Sequence, residues 1–88
     1  MSHGSNPQIR KGLRQAQGHL ESILAMVADG RSCTDLAQQL QAVESTIRTV
    51  KRALIHDHME HCMVAAAAEG GMTMEATLRE LKSLTKYL

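Results

Sequence analysis

Apolar residues recur at alternating spacings of four and three between positions 36 and 54. Because an α-helix has 3.6 residues per turn, this pattern predicts a long helix whose apolar stripe is the seam of a coiled coil or antiparallel bundle. Ser32, with Asp35 three positions later, resembles a capping box at the helix start. Neither Gly nor Pro occurs from 31 to 69, so the helix should run for roughly 33 residues, or about 50 Å. The seam consists of Leu36, Leu40, Val43, Ile47, Val50 and Leu54.

A second apolar stripe precedes the long helix. Asn6 followed by Pro7 is typical of a helix start, because Asn caps the free amides and Pro at the first helical position loses no hydrogen bond. We predict that this helix ends at about Asp29, with Gly30 as its C-terminal stop. Its stripe consists of Ile9, Leu13, Ala16, Leu20, Ile23, Leu24 and Val27.

A third, shorter stripe follows the long helix. Gly70 and Gly71 are predicted to end helix two, and Thr73 to cap helix three. The polar residues 1–6 are predicted to form a flexible arm, and residues 1–88 a single domain. The third stripe consists of Met74, Leu78, Leu81, Leu84 and Leu88.

Composition supports an all-α fold with a three-helix protomer. Tyr87 is the sole aromatic residue among 88, so the core must be built from aliphatic residues, which suits packed helices better than a β-sandwich or barrel. A chain of this length buries only about 60 to 65% of its unfolded surface when it folds alone. Helix one is too short to cover helix two, so we predict a dimer that forms through the long helix.

Hydropathy and net charge limit where the protein can act and which partners it can bind. No apolar run approaches the roughly 18 residues of a membrane span, and the N-terminus lacks the pattern of a signal peptide. We therefore expect a cytoplasmic protein without a membrane partner. The net charge is only +1, so an interaction with DNA would depend on local basic clusters.

The segment HDHMEHC, residues 56–62, contains donors suited to a metal. His58 and Cys62 are four residues apart and therefore leave the same face of a helix. Cys33 is a candidate third ligand, but nearly 40 Å of helix separates it from His58 within one chain. In an antiparallel dimer the two ends meet, so Cys33 of one protomer would join His58 and Cys62 of its partner.

Two thiolates and one imidazole favour a soft d10 ion, and Cu(I) fits best. Zn(II) would require a fourth ligand, and Ni(II) would require a further donor such as His3, His19 or a backbone nitrogen. His61 is another possible additional ligand, although His19 and His61 are both more typical of surface or supporting residues. Alternatively, the two thiols could sense redox or sulfur species across the same interface.

Three segments resemble the copper-sensitive operon repressors (CsoR) and their nickel-, formaldehyde- and persulfide-sensing relatives. They are KGLRQAQGHLESI, GRSCTDLAQQLQAVESTI and HDHMEHC. The resemblance implies that Cys33, His58 and Cys62 bind Cu(I) across a dimer interface. It also implies a dimer of dimers made of two antiparallel four-helix bundles, and a repressor that leaves operator DNA when metal binds. The glutamate of the family's third helix could correspond to either Glu75 or Glu80.

Two basic clusters are candidate DNA-binding residues. Each would be an ordinary solvated helix face in isolation, but four copies on one face of a tetramer would form a broad phosphate-binding surface. No helix-turn-helix or zinc-finger pattern is present, so operator selection could depend partly on DNA shape. The clusters are Arg10, Lys11 and Arg14 in helix one, and Arg48, Lys51 and Arg52 in helix two.

We therefore expect a metal-responsive transcriptional repressor, not an enzyme, that Cu(I) releases from DNA to derepress metal efflux or resistance genes. Because His3 is present, a Ni(II)- or Co(II)-sensing repressor is an alternative. Because Cys33 and Cys62 are both present, a persulfide-sensing repressor is another. Ser2 stands where the formaldehyde-sensing branch has proline, which makes that branch a poor match. A metal-buffering or chaperone protein would use the same ligands without binding DNA.

Overall fold

The computed structural model describes residues 6–69 and 71–88, and these residues are almost entirely helical. The order is α1 (Pro7–Ala28), α2 (Cys33–Glu69) and α3 (Gly71–Leu84), followed by a 3-10 turn at Thr85–Tyr87. No strand occurs within these ranges. The prediction of an all-α, three-helix chain is confirmed.

The start of α1 is capped as predicted. The Asn6 side chain accepts hydrogen bonds from the backbone N–H groups of Gln8, at 3.0 Å, and Ile9, at 3.4 Å. Pro7 occupies the first helical position, where its missing N–H removes no hydrogen bond. Asn6 and Pro7 therefore fix where the helix begins.

Gly30 ends α1. Its φ of 72° lies in the left-handed region, which glycine adopts without a steric penalty. The Gly30 N–H donates to the Val27 carbonyl, and the Arg31 N–H donates to the Met26 carbonyl, each at 3.1 Å. This pair of hydrogen bonds is a Schellman motif, which satisfies carbonyls left free at the helix end.

The second helix is longer than predicted. It has 37 residues, which corresponds to about 55 Å, and it starts at Cys33. The Asp35 N–H donates to Ser32 Oγ at 3.1 Å, so the predicted Ser32 cap is present. The long helix therefore begins with a cysteine in its first turn.

The predicted start of helix three is wrong. The helix begins at Gly71 rather than after a Thr73 cap, since glycine is tolerated at a helix start. It ends at Leu84, and the Thr85 hydroxyl donates to the Lys82 carbonyl at 2.6 Å where the chain tightens into the 3-10 turn. Gly70 lies outside the described residues, as do residues 1–5 of the predicted arm.

The described residues form two compact units, residues 6–50 and residues 51–69 with 71–88. The first unit buries residues from both of its helices, and those of α1 recur every seven positions. The second unit buries one residue each from α2 and α3. The predicted single domain over residues 1–88 stays a prediction. The buried residues are Ile9, Ala16, Ile23, Val43 and Val50 in the first unit, and Ile55 and Thr77 in the second.

Much of the predicted apolar stripe remains exposed in the single chain. The exposed members of α1 alternate along the sequence with the buried ones, and several seam residues of α2 are also exposed. Both α1 and α2 therefore carry more apolar surface than the single chain covers. The exposed stripe residues of α1 and α2 are Leu13, Leu20, Leu24, Val27, Leu40, Ile47 and Leu54.

The last turn carries the aromatic residue of the chain. Tyr87 is about half exposed, and the Lys86 Nζ lies 5.2 Å from the centre of its ring, which is within cation–π range. No helix of the described chain combines the length and hydropathy needed to cross a membrane.

Candidate metal centre

Three metal-ligating side chains come together between α2 and α3. His58 and Cys62 lie on successive turns of α2, with Cys62 Sγ 3.3 Å from His58 Nε2. Glu80 of α3 places Oε1 2.5 Å from the same ring nitrogen and Oε2 4.0 Å from Cys62 Sγ. One donor atom from each residue lies within 4.8 Å of the other two. We call these residues the α2–α3 cluster.

The cluster has one apolar side and one exposed side. His58 is only 21% exposed, whereas Glu80 is 52% exposed. A small cavity of about 190 Å³ adjoins the histidine and the glutamate. An ion held here would therefore be partly shielded from water. The apolar wall of the cavity consists of Leu54, Ile55 and Leu84.

Burial raises the pKa of the Cys62 thiol, and the negative charge of Glu80 raises that pKa further. Both effects disfavour the thiolate, the form that binds metal. The metal-free protein therefore holds Cys62 as a thiol whose S–H points at Glu80 Oε2. A cation at this position must displace that proton.

His58 Nε2 faces two neighbours at once, Cys62 and Glu80. A ring nitrogen carries either a proton or a free lone pair. If Nε2 is protonated, it donates to Glu80 and cannot bind a metal. If Nε2 binds metal, Glu80 must move away or become a ligand as well.

Cys33 is not a member of this cluster. It is an exposed free thiol in the first turn of α2, and the metal-ligating group found among the described residues contains His58, Cys62 and Glu80 without it. The structure thus brings together two of the three predicted ligands. The entry of Cys33 from a second protomer stays a prediction.

The possible additional histidine ligands have other contacts. His19 Nε2 lies 2.7 Å from Gln39 Oε1, and His61 Nδ1 lies 2.8 Å from the Asp57 carbonyl oxygen. His3 lies outside the described residues. Neither His19 nor His61 is part of the α2–α3 cluster.

Glu80 is the member of the cluster that sequence reasoning did not assign as a ligand. Both Glu75 and Glu80 were plausible counterparts of the family's helix-three glutamate, and the structure places Glu80 against His58. The sequence does contain a signal for Glu80, because it lies beside Leu81 and one turn before Leu84, two residues of the apolar stripe of helix three. That position puts the carboxylate at the edge of the stripe through which α3 packs.

The predicted DNA-binding residues are all exposed. Arg10, Lys11 and Arg14 lie in the first two turns of α1 and, with Pro7, line an open depression of about 330 Å³. The cluster in α2 occupies two neighbouring turns. DNA binding by these residues stays a prediction. The residues of the α2 cluster are Arg48, Lys51 and Arg52.

Comparison with known proteins decides the family. Residues 5–87 match the family described as metal-sensitive transcriptional repressors. The chain belongs to this family. The resemblance seen in the sequence is thereby confirmed, and the chain is a metal-sensing transcriptional repressor rather than an enzyme.

Similar repressors include sensors of two metals. The copper-sensing repressor RicR of Mycobacterium tuberculosis is 34% identical over 82 residues, covering 90% of this chain and 85% of the relative. CsoR of Bacillus subtilis, also copper-sensing, is 31% identical over 81 residues, covering 90% and 80%. The nickel-responsive regulator InrS has a solved structure with a TM-score of 0.82 and 32% identity, covering 99% of this chain and 96% of InrS.

Proposed function

We propose that this repressor binds operator DNA in the metal-free form and that Cu(I) releases it, which derepresses metal efflux or resistance genes. The observation that carries the proposal is the half-buried His58–Cys62 pair, whose donor atoms are 3.3 Å apart. The copper-sensing relatives support it. A DNA-bound regulator of this kind acts in the cytoplasm.

The donor set suits Cu(I) once a second thiolate is added. One chain supplies a thiol from Cys62 and an imidazole from His58, and Cu(I) is selected by soft thiolate ligands with low coordination numbers. Cys33 is exposed and lies at the opposite end of α2. An antiparallel partner would bring its Cys33 to this pair, completing a three-coordinate site in which Cu(I) joins the two protomers.

The exposed apolar stripe supports such a dimer. Leu24 and Val27 are 70% and 56% exposed, and Leu40 and Ile47 exceed 40%. Apolar surface of this extent is normally covered by another chain. We propose an antiparallel four-helix-bundle dimer built around α2, and a homotetramer formed from two such dimers.

Glu80 links metal binding in the cluster to the contact between α2 and α3. In the metal-free chain its carboxylate binds His58 Nε2 and faces the Cys62 thiol. When the thiol gives up its proton to bind a metal, it can no longer donate a hydrogen bond to Glu80. The position of α3 relative to the end of α2 is thereby linked to metal occupancy within this unit.

DNA binding would use the exposed basic residues of α1 and α2. Several phosphate contacts repeated over a tetramer give a steep salt dependence. By thermodynamic linkage, DNA must weaken metal binding by the same factor by which metal weakens DNA binding, typically about 1 to 3 kcal/mol of coupling. The proposed residues are Arg10, Lys11, Arg14, Arg48, Lys51 and Arg52.

The test is an anaerobic titration of the reduced protein with Cu(I) against a competing chelator, while fluorescence anisotropy follows its own promoter DNA. We expect one tightly bound Cu(I) per protomer and release of the DNA at the same equivalence point. Tight copper binding with no change in anisotropy would contradict the repressor mechanism and favour a metal-buffering protein.

A Ni(II)-responsive repressor is the second candidate, supported by InrS and by Glu80 as an additional donor in the cluster. Parallel titration with Ni(II) separates the two metals. DNA release by Ni(II) but not by Cu(I), with thiolate-to-nickel absorption bands, would replace copper as the effector. Release by neither metal, but by a persulfide donor, would favour sulfur sensing through Cys33 and Cys62.

A further inference from the structure

A polar groove lies between α1 and α2 within the first unit, away from the residues that would bind metal. We call it the α1–α2 groove. Its volume is about 260 Å³, which is below the roughly 300 to 1,000 Å³ of pockets that hold drug-sized molecules. The α1–α2 groove therefore suits one small chemical group better than a whole effector molecule.

The floor of the α1–α2 groove is formed where the two helices approach each other closely. A Cβ atom on Gly12 would overlap Val50 Cγ2, and Val50 is buried. Because position 12 carries no side chain, the backbone of α1 lies directly against α2 and the space above it stays open. The groove thus has an apolar floor with polar side chains along both walls.

The walls carry hydrogen-bond donors that the chain itself does not use. Gln8, Lys11 and Gln15 follow one another at spacings of three and four, so they line one side of the groove from the same face of α1. Ser45 lies on the opposite wall. All four side chains are exposed, and none of them has a hydrogen bond or ion pair to another residue of the described chain. They are available to a ligand.

Two further hydroxyls on the α2 wall are already engaged. Thr46 Oγ1 donates to the Ala42 carbonyl at 3.2 Å, and Thr49 Oγ1 donates to the Ser45 carbonyl at 3.1 Å. These threonines give the wall its polar character, but their protons are taken. The Ser45 hydroxyl is therefore the free side-chain donor on the α2 side of the groove.

The surroundings of the α1–α2 groove are positively charged. Lys11 also lines the neighbouring depression that contains Arg10 and Arg14. Arg48 is three residues after Ser45 and so is its neighbour on the surface of α2. No carboxylate lines either depression in the described chain. A small anion is the ligand that this combination of charge and donors favours.

We infer that the α1–α2 groove holds one phosphate group of the DNA backbone. Lys11 supplies the positive charge, and Gln8, Gln15 and Ser45 supply uncharged donors. The inference rests on the proposed repressor function and adds uncharged residues to its basic ones. Glutamine and serine are common partners of backbone phosphates, and such contacts fix the position of a protein on the duplex without reading its sequence.

The test separates the uncharged donors from the cations. A Gln15→Ala/Ser45→Ala variant is compared with the parent chain and with a Gln17→Ala/Ser22→Ala control, whose exposed residues lie on α1 outside the groove. Fluorescence anisotropy measures binding of the metal-free proteins to operator DNA and to an unrelated duplex of equal length, each at several salt concentrations. Circular dichroism verifies that both variants remain helical.

We expect Gln15→Ala/Ser45→Ala to bind both duplexes at least about tenfold more weakly than the parent, the typical loss when a hydrogen bond to a charged group is removed. The slope of log affinity against log salt should stay unchanged, because the substitutions remove no charge. The control should bind like the parent.

Three results would contradict the inference in different ways. Equal affinity of Gln15→Ala/Ser45→Ala and the control would overturn it while leaving the repressor function in place. A loss confined to operator DNA would place these side chains against bases instead of phosphates. Failure of the parent chain to bind its operator would overturn the repressor function, and this inference with it.

Discussion

Glu80 contacts both other members of the α2–α3 cluster. Its carboxylate accepts from His58 Nε2 when that nitrogen is protonated, and its charge adds to burial in raising the pKa of Cys62. A thiol pKa raised by folding contributes stability at pH values below the pKa of the unfolded chain. That contribution is lost as pH rises through the folded pKa. The Cys62 thiol therefore contributes most to the stability of the metal-free protein at low pH, and this contribution decreases as the pH rises.

Replacing Glu80 with Gln should lower the pKa of Cys62, because the amide keeps the shape of the side chain without its charge. In a Cys33→Ser background, the rate of Cys62 alkylation by iodoacetamide is measured against pH in the metal-free protein. The midpoint should move to lower pH in Glu80→Gln than with Glu80 present. Glu75→Gln, on the same helix, is the control and should leave the profile in place. Superimposed profiles for Glu80→Gln would contradict the electrostatic role of Glu80.

The helix ends were predictable because their signals are local. Asn6, Pro7 and Gly30 act through their own backbone neighbourhood, and each appears where the sequence placed it. The start of α3 was not predictable in this way, since Gly71 is compatible with either a break or a first helical turn. The contact between Glu80 and His58 depends on how α2 and α3 pack together. Spacing along α2 alone could therefore reveal the His58–Cys62 pair, but it could not show that Glu80 joins them.

Alanine substitutions at two glycines of α1 should change stability in opposite directions. A Cβ at Gly12 would overlap Val50 Cγ2, whereas a Cβ at Gly18 would have no atom within 4 Å outside its own helix backbone. Gly12→Ala should therefore lower the free energy of unfolding by about 1 to 3 kcal/mol through overpacking. Gly18→Ala should raise it by about 0.5 to 1 kcal/mol, because alanine is the better helix former.

Urea denaturation followed by circular dichroism measures both glycine variants against the parent chain at one protein concentration. The difference in sign is the informative result, since helix propensity alone predicts stabilisation in both. Stabilisation of similar size by Gly12→Ala would show that α1 and α2 are not in close contact at Val50.

At the scale of the whole molecule, the predicted copper site belongs to two chains. Cys33 and the His58–Cys62 pair stand in different units of one chain, and much of the apolar stripe that would join two chains is exposed. Sequence periodicity indicated this surplus of apolar positions. It could not indicate which of them a single chain buries, because burial depends on how the helices are rotated against each other.

Mixing two inactive variants tests whether the site is shared. Cys33→Ala and Cys62→Ala should each retain operator binding and lose copper-induced release. If the chains refold together, half of the dimers should be heterodimers, which have one intact site and one site lacking both cysteines. Tight Cu(I) binding should therefore reappear at about one ion per heterodimer. Its absence from the mixture, with heterodimers verified by mass spectrometry, would place the ligands within a single chain.

If the exposed basic residues of α1 and α2 bind DNA phosphates, replacing one of them should lower operator affinity and weaken its dependence on salt. Arg14→Ala should weaken operator binding by the metal-free protein and reduce the slope of log affinity against log salt by about 0.9 for each phosphate that is no longer neutralised. Arg52→Ala should act in the same way. Lys82→Ala, an exposed cation on α3, is the control. Operator affinity unchanged by both arginine substitutions would show that another face of the protein binds DNA.

The aromatic content of the chain determines how metal binding can be observed. Tyr87, with Lys86 beside its ring, is the single aromatic side chain in a sequence without Trp or Phe. Absorption near 280 nm is therefore very low, and charge-transfer bands from sulfur to metal will rise from an almost transparent ultraviolet background. Tyrosine fluorescence, free of energy transfer to tryptophan, will report separately on the last turn of the chain.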